Sequence, residues 1–215
     1  MIHDLSKKNS ILNTFVREIR DSAIQKDRMR FRRNLERIGE IIAYEMSQKL
    51  DFENVEIETP LASMEIPQLK DSLVLATILR AGLPLHQGLL NYFDTADSAF
   101  VTAYRKYDSA DEFSVEVDYM TAPDLTNKIL ILADPMIASG VSLYKSYKAL
   151  LMRGEPKEVH VVGAIVSAQG LAYLKKKMGA RVHFWVGAVD LELTAKAYIV
   201  PGLGDAGDLA FGNKE

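Results

Sequence analysis

Cysteine is absent from the 215 residues of this chain. Its absence excludes disulfides, a thiolate nucleophile and a cysteine-ligated metal site, and nothing else indicates an oxidising compartment. Long apolar runs are also missing, since none approaches the roughly 20 residues of a membrane-spanning helix. The first twelve residues lack the apolar core of a signal peptide. The sequence therefore predicts a soluble, cytoplasmic protein without a membrane partner.

An excess of positive charge is missing as well. Lys and Arg number 26 against 29 Asp and Glu, which gives a formal net charge of −3. Proteins that bind nucleic acid through their overall field are usually basic, so nucleic acid is not an expected partner. The chain has no internal repeat, and its 48% hydrophobic content suffices for one substantial α/β domain.

The chain is organised around residues 128–146, KILILADPMIASGVSLYKS. The apolar start of this stretch is typical of a buried parallel strand. Asp134 then stands at the carboxyl end of the strand, where open α/β sheets bind ligands. Small residues lead from there into a helix predicted over residues 143–153. The unpaired N–H groups and the dipole of a helix N-terminus favour an anion.

The side chains of this stretch indicate a ligand that is both a sugar and a phosphate. Ser139 and Ser142 add hydroxyl donors to the predicted anion site. Asp134 would repel a phosphate, but its carboxylate suits sugar hydroxyls or a group that carries magnesium.

Apolar runs on both sides of this stretch predict the rest of a sheet. They lie at residues 73–79, 98–104, 159–166 and 182–189, and helices are predicted at residues 85–92 and 169–178. The alternation of strand and helix predicts a parallel sheet covered on both faces. His160 and His183 fall inside strand patterns and are interpreted as core or edge residues.

Arginines follow two of the predicted strands. Arg80 precedes the small residues Ala81 and Gly82, which suits a dense anion such as pyrophosphate and equally an arginine that caps a loop carbonyl. Arg105 follows the 98–104 strand. Residues 107–121 are predicted to form a mobile hairpin beside the sheet.

Residues 1–60 are predicted to form an N-terminal arm with helices at 10–20 and 26–50 and a strand within 51–60. The second helix carries five arginines, Arg28, Arg30, Arg32, Arg33 and Arg37. The favoured interpretation is a solvated helix face whose arginines pair with acidic residues. The alternative is a patch that binds RNA or phosphate.

Glycine is concentrated near the C-terminus, in residues 196–212, KAYIVPGLGDAGDLAFG. Four glycines disfavour a helix or strand there and allow the backbone to approach a ligand closely. Tyr198, Ile199, Val200 and Phe211 argue against a solvated tail. Main-chain groups of such a loop can match the donors and acceptors of a planar base.

Three segments resemble one family. DPMIASGVS, at residues 134–142, resembles the phosphoribosyl-pyrophosphate (PRPP) motif of type I phosphoribosyltransferases, most closely the DPMLATGGS of uracil phosphoribosyltransferases. YIVPGLGDAGD followed by FG, at residues 198–212, closely resembles that family's uracil-binding signature. FRRNLERIGEIIAYEMSQ and VEIETPL in the arm are similar to the family's N-terminal region.

The resemblance implies an α/β fold: a type I phosphoribosyltransferase-like parallel sheet flanked by helices, with an N-terminal helical arm or hood and a β-hairpin lid. Within a single domain it places the arm at residues 1–60, a PRPP-binding core at 61–190 and a uracil-binding segment at 191–215. It also implies a pyrophosphate loop at ILRAG, where relatives commonly have a cis peptide.

The implied activity converts uracil and PRPP to UMP and diphosphate in pyrimidine salvage, with Mg²⁺ as cofactor. The resemblance further implies a homodimer or higher homo-oligomer, and an allosteric nucleotide is an additional candidate partner. Two alternatives stay open. One is a phosphoribosyltransferase for another base, and the other is an RNA-binding regulator on the same fold that senses PRPP or UMP.

The resemblance also assigns roles by position. Asp134, Arg105 and Asp205 are the implied catalytic residues, and Asp205 is also expected near magnesium, through PRPP and water. The implied PRPP-binding residues are Arg80, Ala81, Gly82, Arg105, Asp134, Pro135, Met136, Ile137, Ala138, Ser139, Gly140, Val141, Ser142 and Asp205. The implied uracil-binding residues are Tyr198, Ile199, Gly204, Asp205 and Ala206.

This chain departs from the family pattern at four of its motif positions. Ser139 stands where threonine is usual and keeps a hydroxyl, whereas Val141 replaces a glycine and therefore requires an ordinary backbone conformation. In the C-terminal segment, Leu209 stands in place of an arginine and Asn213 in place of a threonine.

Overall fold

The structure is a computed structural model that describes residues 1–107 and 113–213. Its strands are β1 (Ile2–Asp4), β2 (Phe52–Glu58), β3 (Ser63–Leu69), β4 (Leu73–Leu79), β5 (Asp97–Tyr107), β6 (Phe113–Thr121), β7 (Ile129–Ala133), β8 (Met136–Ile137), β9 (Glu158–Ser167), β10 (Val182–Asp190), β11 (Glu192–Leu193) and β12 (Ile199–Val200). Its α-helices are α1 (Leu12–Arg20), α2 (Arg28–Ser47), α3 (Leu83–Leu90), α4 (Val141–Leu150), α5 (Ala168–Met178) and α6 (Ala206–Phe211).

The main sheet has the strand order β1-β10-β9-β7-β4-β5-β6, and the short strand β8 pairs with β9. All neighbouring strands in it are parallel except β5 and β6, which pair antiparallel. The connection after β4 leads to β5 on one side, whereas β7 and the strands that follow it lie on the other side. The chain thus reverses its direction of winding between β4 and β7, and such a switch point leaves a ligand crevice at the carboxyl ends of the strands.

Two apolar layers cover the two faces of this sheet. On one face, Leu75 and Ile131 pack with residues of α2 and α3 such as Ile38 and Leu85. On the other face, Val74 and Leu130 belong to a second cluster with residues of α4 and α5. Successive residues of β4 and β7 therefore point to opposite faces, and both faces are buried. The predicted parallel sheet flanked by helices is confirmed.

Arm helix α2 buries its apolar side against the chain's own core. Phe31, Leu35, Ile38, Ile42 and Met46 recur at helical spacing, and each is at most 1% exposed. Asp27 begins the helix because its side chain accepts a hydrogen bond from Arg30 N at 3.0 Å. The arm therefore packs over the core, as expected of a hood.

Some elements were not predicted. Strand β1 has only three residues, too few for a periodic signal, and it pairs with β10 at one edge of the main sheet. Strand β3 pairs with β2 in a separate antiparallel hairpin, so the hairpin continues past residue 60 to Leu69. Within this hairpin, Phe52, Met64 and Ile66 are exposed apolar residues.

The expectation that the glycine-rich C-terminal segment would lack helix was wrong at residues 206–211, which form α6. Asp205 starts this helix, because its Oδ1 accepts a hydrogen bond from Asp208 N at 3.0 Å. The cap and the buried residues Ala206 and Ala210 outweigh the low helix propensity of Gly207. In the described part of the chain, no helix has the length and apolar character needed to cross a membrane.

Candidate active site

The candidate site lies at the switch point of the sheet. Arg80 directly follows β4, and Asp134 directly follows the neighbouring parallel strand β7. The two residues predicted to bind opposite parts of PRPP are therefore brought to the same edge of the sheet.

Residues 134–142, here called the phosphate loop, lead from β7 into α4. Neighbouring strand β9 holds the first half of the loop. Pro135 O accepts a hydrogen bond from Ile165 N at 2.9 Å, and Ala138 O accepts one from Ser167 Oγ at 2.5 Å. Residues Met136 and Ile137 form β8 and pair with β9. The first half of the loop is thus fixed by β9 without a ligand.

The second half of the phosphate loop forms a helix N-terminus suited to an anion. Gly140 caps α4 in a left-handed conformation (φ 78°) and offers no side-chain acceptor to the first helical N–H groups. A Cβ on Gly140 would lie 2.9 Å from Leu174 Cγ and 3.1 Å from Gly170 O. Ser139 Oγ makes one long contact, 3.4 Å, with Val141 N. The remaining N–H groups of the first turn are placed to receive a phosphate.

Val141 fits this loop without strain. It is the first residue of α4 and has an ordinary helical conformation, because the left-handed position falls on Gly140. The expectation for Val141 is therefore confirmed. Ser142 follows it in the same helical turn, and both side chains are partly exposed.

Asp134 is a partly buried carboxyl at the entrance to the phosphate loop. Its Oδ1 accepts a hydrogen bond from Met136 N at 3.2 Å, and its own N–H donates to Val162 O at 3.0 Å. Burial raises the pKa of Asp134 to about 7, and the Met136 hydrogen bond lowers it only in part. A buried carboxyl with a pKa near 7 is a common feature of functional sites.

Arg80 connects the end of β4 to the C-terminal segment. The Leu79–Arg80 peptide bond is cis, as the resemblance implied. The Arg80 side chain donates from Nη2 to Gly212 O at 3.0 Å and lies 3.5 Å from Asp208 Oδ1. Ala81 and Gly82 follow in the turn that opens α3, where Gly82 N donates to Ile78 O at 3.1 Å. The guanidinium is 41% exposed, so part of it faces solvent.

Residues 199–213, here called the base segment, begin with β12 and end after α6. Ile199 is buried, and its strand pairs with Leu193 of β11. The Val200–Pro201 peptide bond is cis. Gly204 has φ 97°, and a Cβ placed on it would meet no atom within 4 Å. Open space therefore borders the backbone at the position assigned to the base.

Tyr198 and Asp205 have structural roles in addition to those predicted for them. Both main-chain groups of Tyr198 bond to Thr194: its N–H donates to Oγ1 at 3.0 Å, and its O accepts from N at 2.8 Å. Only its half-exposed side chain is then free to meet a base. Asp205 caps α6, which fixes its carboxylate at the start of that helix.

A pocket of about 360 Å³ adjoins the base segment. Gly204, Asp205 and Leu209 line it, so the replacement of arginine by Leu209 changes the wall of this pocket. Asn213 also lines it, together with arm residues such as Lys26 and Arg28. Motif reasoning missed the arm residues, because a contact across nearly 180 positions leaves no local pattern.

Two of the other four arginines of α2 pair with acidic residues. Arg30 pairs with Glu18 at 3.0 Å and Arg33 with Glu36 at 2.6 Å, so the interpretation of a helix face paired with acidic residues is confirmed for these two. Arg37 donates from Nη1 to Asn34 Oδ1 at 3.2 Å and lies over the Phe15 ring. Arg32 instead donates from Nη1 to Ala210 O at 2.7 Å and lies over the Phe211 ring. Arg32 therefore anchors the base segment.

Arg105 lies opposite Val115 in the antiparallel pair of β5 and β6. Its side chain lies outside the part of the protein that the structure describes, and so do residues 108–112 of the predicted lid. The role of Arg105 and the mobility of the lid stay predictions.

His160 is part of the protein core. It is 1% exposed and accepts a hydrogen bond at Nδ1 from Trp185 Nε1 at 3.0 Å, which confirms the prediction of a core residue.

Among residues 1–107 and 113–213, no three His, Asp or Glu side chains come together to hold a metal. Mg²⁺ needs only one or two protein carboxylates when substrate phosphates supply further ligands, and Asp134 and Asp205 offer such oxygens.

Comparison with known proteins gives one consistent result. The model of the family described as uracil phosphoribosyltransferase matches residues 6–213. A uracil phosphoribosyltransferase of Porphyromonas gingivalis is 50% identical over 214 residues, which cover 100% of this chain and 99% of the relative. Another from Pyrococcus furiosus is 38% identical over 198 residues, covering 91% and 83%.

A solved structure shares this fold along nearly the whole chain. A protein from Aquifex aeolicus superposes with a TM-score of 0.88 at 29% identity, over 99% of this chain and 98% of that one. Sequence and fold thus agree along nearly the whole length, and the chain belongs to the uracil phosphoribosyltransferase family.

Proposed function

We propose that this protein is an enzyme that transfers the phosphoribosyl group of PRPP to uracil, giving UMP and diphosphate. The observation that carries the proposal is that the neighbouring parallel strands β4 and β7 end side by side, which brings Arg80 and the phosphate loop to one edge of the sheet. The hydrogen bond from Arg80 to Gly212 O holds the base segment at the same edge. The two reacting molecules would therefore meet between the phosphate loop and the base segment.

The reaction breaks the bond from the ribose anomeric carbon to the pyrophosphate oxygen and forms a bond to uracil N1, which loses its proton. No covalent nucleophile is required. Rate enhancement would then come from positioning and from charge stabilisation. The fixed phosphate loop suits this role, because it holds the 5′-phosphate, and with it the ribose, in one place.

Asp134 would orient the ribose hydroxyls by accepting their protons in hydrogen bonds. Its raised pKa means that the ligand-free carboxyl is partly protonated near neutral pH. The ionised form accepts hydroxyl hydrogen bonds better, so the site gains strength as the carboxyl loses its proton.

Arg80 and Arg105 would neutralise charge on the departing pyrophosphate. This charge grows as the bond to ribose breaks, so cations placed there stabilise the transition state more than the ground state. Asp134 and Asp205 are the residues that would face Mg²⁺ bound with PRPP. When bound, Mg²⁺ would supply further positive charge at the pyrophosphate oxygens.

Uracil would be bound by residues 198–206 within the segment 191–215. The open space at Gly204 lets the backbone approach a planar ring, and the rigid surroundings hold main-chain donors and acceptors in fixed directions. A fixed set of main-chain groups favours one base over others. The pairing of Arg30 and Arg33 with acidic residues weakens the alternative of an RNA-binding regulator.

The homodimer or higher homo-oligomer that the resemblance implies remains part of the proposal. The apolar side of α2 is buried against the core of the same chain, so this side is not available to a partner. The β2–β3 hairpin, in contrast, exposes Phe52 and Met64 by about half and Leu61 almost fully. Sedimentation at micromolar concentration should show an assembly, and a monomer would contradict this part of the proposal.

The test of the activity is the PRPP-dependent conversion of labelled uracil to UMP by the purified protein. Conversion should require both substrates and should fall when a chelator removes Mg²⁺. If no UMP forms with Mg²⁺ and PRPP in excess, the proposed function is wrong.

A further inference from the structure

Arg20 and Asp190, which are not among the predicted site residues, form an ion pair that holds the base segment near its N-terminal end. Asp190 is the last residue of β10, at the same edge of the sheet as Asp134. Arg20 is the last residue of α1 in the arm. Their contact is bidentate, with 2.7 Å from Nη2 to Oδ1 and 2.8 Å from Nη1 to Oδ2.

Both residues also bind the backbone of Gly202. Asp190 Oδ2 accepts a hydrogen bond from Gly202 N at 2.9 Å, and Arg20 Nη1 donates to Gly202 O at 3.0 Å. The peptide groups on either side of Gly202 are thus held by one closed set of hydrogen bonds. Charge-assisted bonds of this bidentate type are stronger and more directional than neutral ones.

Gly202 is a position where the backbone has little freedom to move. Its φ is 57°, and a Cβ there would lie 2.2 Å from Ile199 O. Two residues further on, Gly204 borders the open space assigned to the base. Fixing Gly202 therefore fixes the direction in which residues 203–206 leave β12.

The ion pair is shielded from water. The Asp190 side chain is 7% exposed and that of Arg20 is 21% exposed. Burial alone would raise the pKa of Asp190, but the hydrogen bonds from Arg20 and Gly202 N and the charge of Arg20 bring it below its usual value. Because a buried charge that loses its partner is costly, the two residues act as one unit.

We propose that Arg20 and Asp190 are positioning residues for base recognition, which hold Gly202 and thereby keep the base segment in its uracil-binding conformation. This inference rests on the proposed function. Without the pair, the base segment would spend only part of its time in the binding conformation. Apparent affinity for uracil would fall in proportion to that fraction. The phosphate loop is held by β9 instead and would keep its affinity for PRPP.

The test compares four proteins: the wild type, Asp190→Asn, Arg20→Lys and the matched control Arg30→Gln. Arg30 forms a similar bidentate pair with Glu18, at 3.0 and 3.2 Å, and that pair makes no contact with the base segment. We expect Asp190→Asn to raise the KM for uracil roughly 10- to 100-fold, the scale of a misplaced reactant. The KM for PRPP should stay within about twofold.

Arg20→Lys should give an intermediate KM for uracil. Lysine keeps the charge, but its compact ammonium cannot span both carboxylate oxygens and Gly202 O. Arg30→Gln should leave both KM values as in the wild type. An unchanged KM for uracil in Asp190→Asn would overturn the inference, and so would an equal rise in the KM for PRPP.

Amide hydrogen exchange separates this inference from the proposed function. The amides of residues 202–206 should exchange faster in Asp190→Asn than in the wild type, with no such change in Arg30→Gln. If the wild type makes no UMP, the proposed function fails, and the exchange result alone decides the positioning role. Exchange as slow in Asp190→Asn as in the wild type would overturn it.

Discussion

The phosphate loop and the base segment lie at one edge of the sheet but are held in different ways. The phosphate loop depends on nearby chain: Ala138 bonds to Ser167, 29 residues away, and α4 follows directly. Apart from the hydrogen bond from Gly202 N to Asp190, 12 residues away, the base segment is held by side chains that are distant in the sequence. Gly202 is held from 182 positions away, Ala210 from 178 and Gly212 from 132.

The phosphate loop is therefore held within a strand–helix unit, whereas the base segment is held by side chains of α1, α2 and the residue that follows β4. A strand–loop–helix unit forms its anion site from its own backbone, so few single side chains are essential to it. The base segment has little regular structure, and single arginines hold it in place. Substitutions should therefore affect the two regions unequally.

The largest effect is expected for Gly204→Val. A valine at Gly204 would fill the open space assigned to the base and would strain a backbone with φ 97°. Turnover of uracil should fall to background while calorimetry still shows PRPP binding. Gly179→Val is the matched control, because Gly179 also has positive φ (86°) and open surroundings. Normal uracil turnover by Gly204→Val would remove Gly204 from the base site.

Asp134→Asn should lower kcat by roughly 10²-fold, the cost of a mispositioned reactant. The amide keeps the size of the carboxyl but cannot accept two hydroxyl protons through charged oxygens. Steady-state rates of the purified variant provide the measurement. Asp97→Asn is the control, since Asp97 pairs with Lys128 at the other end of the sheet. Near-normal turnover would exclude Asp134 from the site.

Arg80→Ala should weaken PRPP and diphosphate binding about 10-fold or more, because a partly desolvated charged contact contributes about 1.5–3 kcal/mol. The hydrogen bond to Gly212 O adds a smaller loss of uracil affinity. Arg32→Ala should show the reverse order, because Arg32 contacts only the base segment among the two regions. Calorimetry with PRPP and with uracil measures both affinities in each variant. Equal losses for both ligands in both variants would mean that the arginines act on the fold.

The side chain of Arg105 lies outside the described residues, and its prediction rests on the resemblance alone. Arg105→Ala should follow Arg80→Ala, with weaker binding of PRPP and diphosphate than of uracil. Calorimetry with PRPP and with uracil provides the measurement. Unchanged PRPP binding would remove Arg105 from the site.

The smallest effect concerns stability. The folded pKa of Asp134, about 7, exceeds its ordinary value of 3.8, so the folded state binds more protons between these values. The contribution of Asp134 to stability should therefore fall as pH rises from about 4 to above 7, and this loss should be absent in Asp134→Asn. At pH 8 without ligand, Asp134→Asn should unfold at least about 2 °C above the wild type. A lower midpoint would contradict the burial of this carboxyl.

The features predicted from the sequence are those that depend on residues close together in the chain. The five strands that carry the parallel sheet were predicted within a few residues, because each is an apolar run that ends at turn residues. The order of strand, phosphate loop and helix was predicted, including the ordinary conformation of Val141, because a strand, a small-residue loop and a helix follow one another without interruption. The helix begins at Val141, two residues before its predicted start, and the short strand β8 was not predicted.

Long-range contacts left no such signal. Arg20 and Asp190 lie in no recognisable motif, and Arg32 was noted only as one of five arm arginines. Their importance depends on the fold that brings α1, α2 and β10 to the base segment. Helix α6 was missed because the glycine content was judged without the capping role of Asp205. The predicted roles of the site residues and the division into arm, core and base segment remain to be tested by substitution.

The assignment of the base segment as a uracil site is tested most directly by comparing several bases as substrates. Initial rates would be measured at fixed PRPP with uracil, 5-fluorouracil, cytosine and hypoxanthine. Cytosine differs from uracil at one edge, and a fixed backbone cannot turn its donors and acceptors to suit both bases, so buried polar groups would stay unpaired. We expect use of uracil and 5-fluorouracil, and discrimination of roughly 10⁴-fold against cytosine. Turnover of cytosine or hypoxanthine as fast as that of uracil would contradict the assignment of residues 199–206 as the base site.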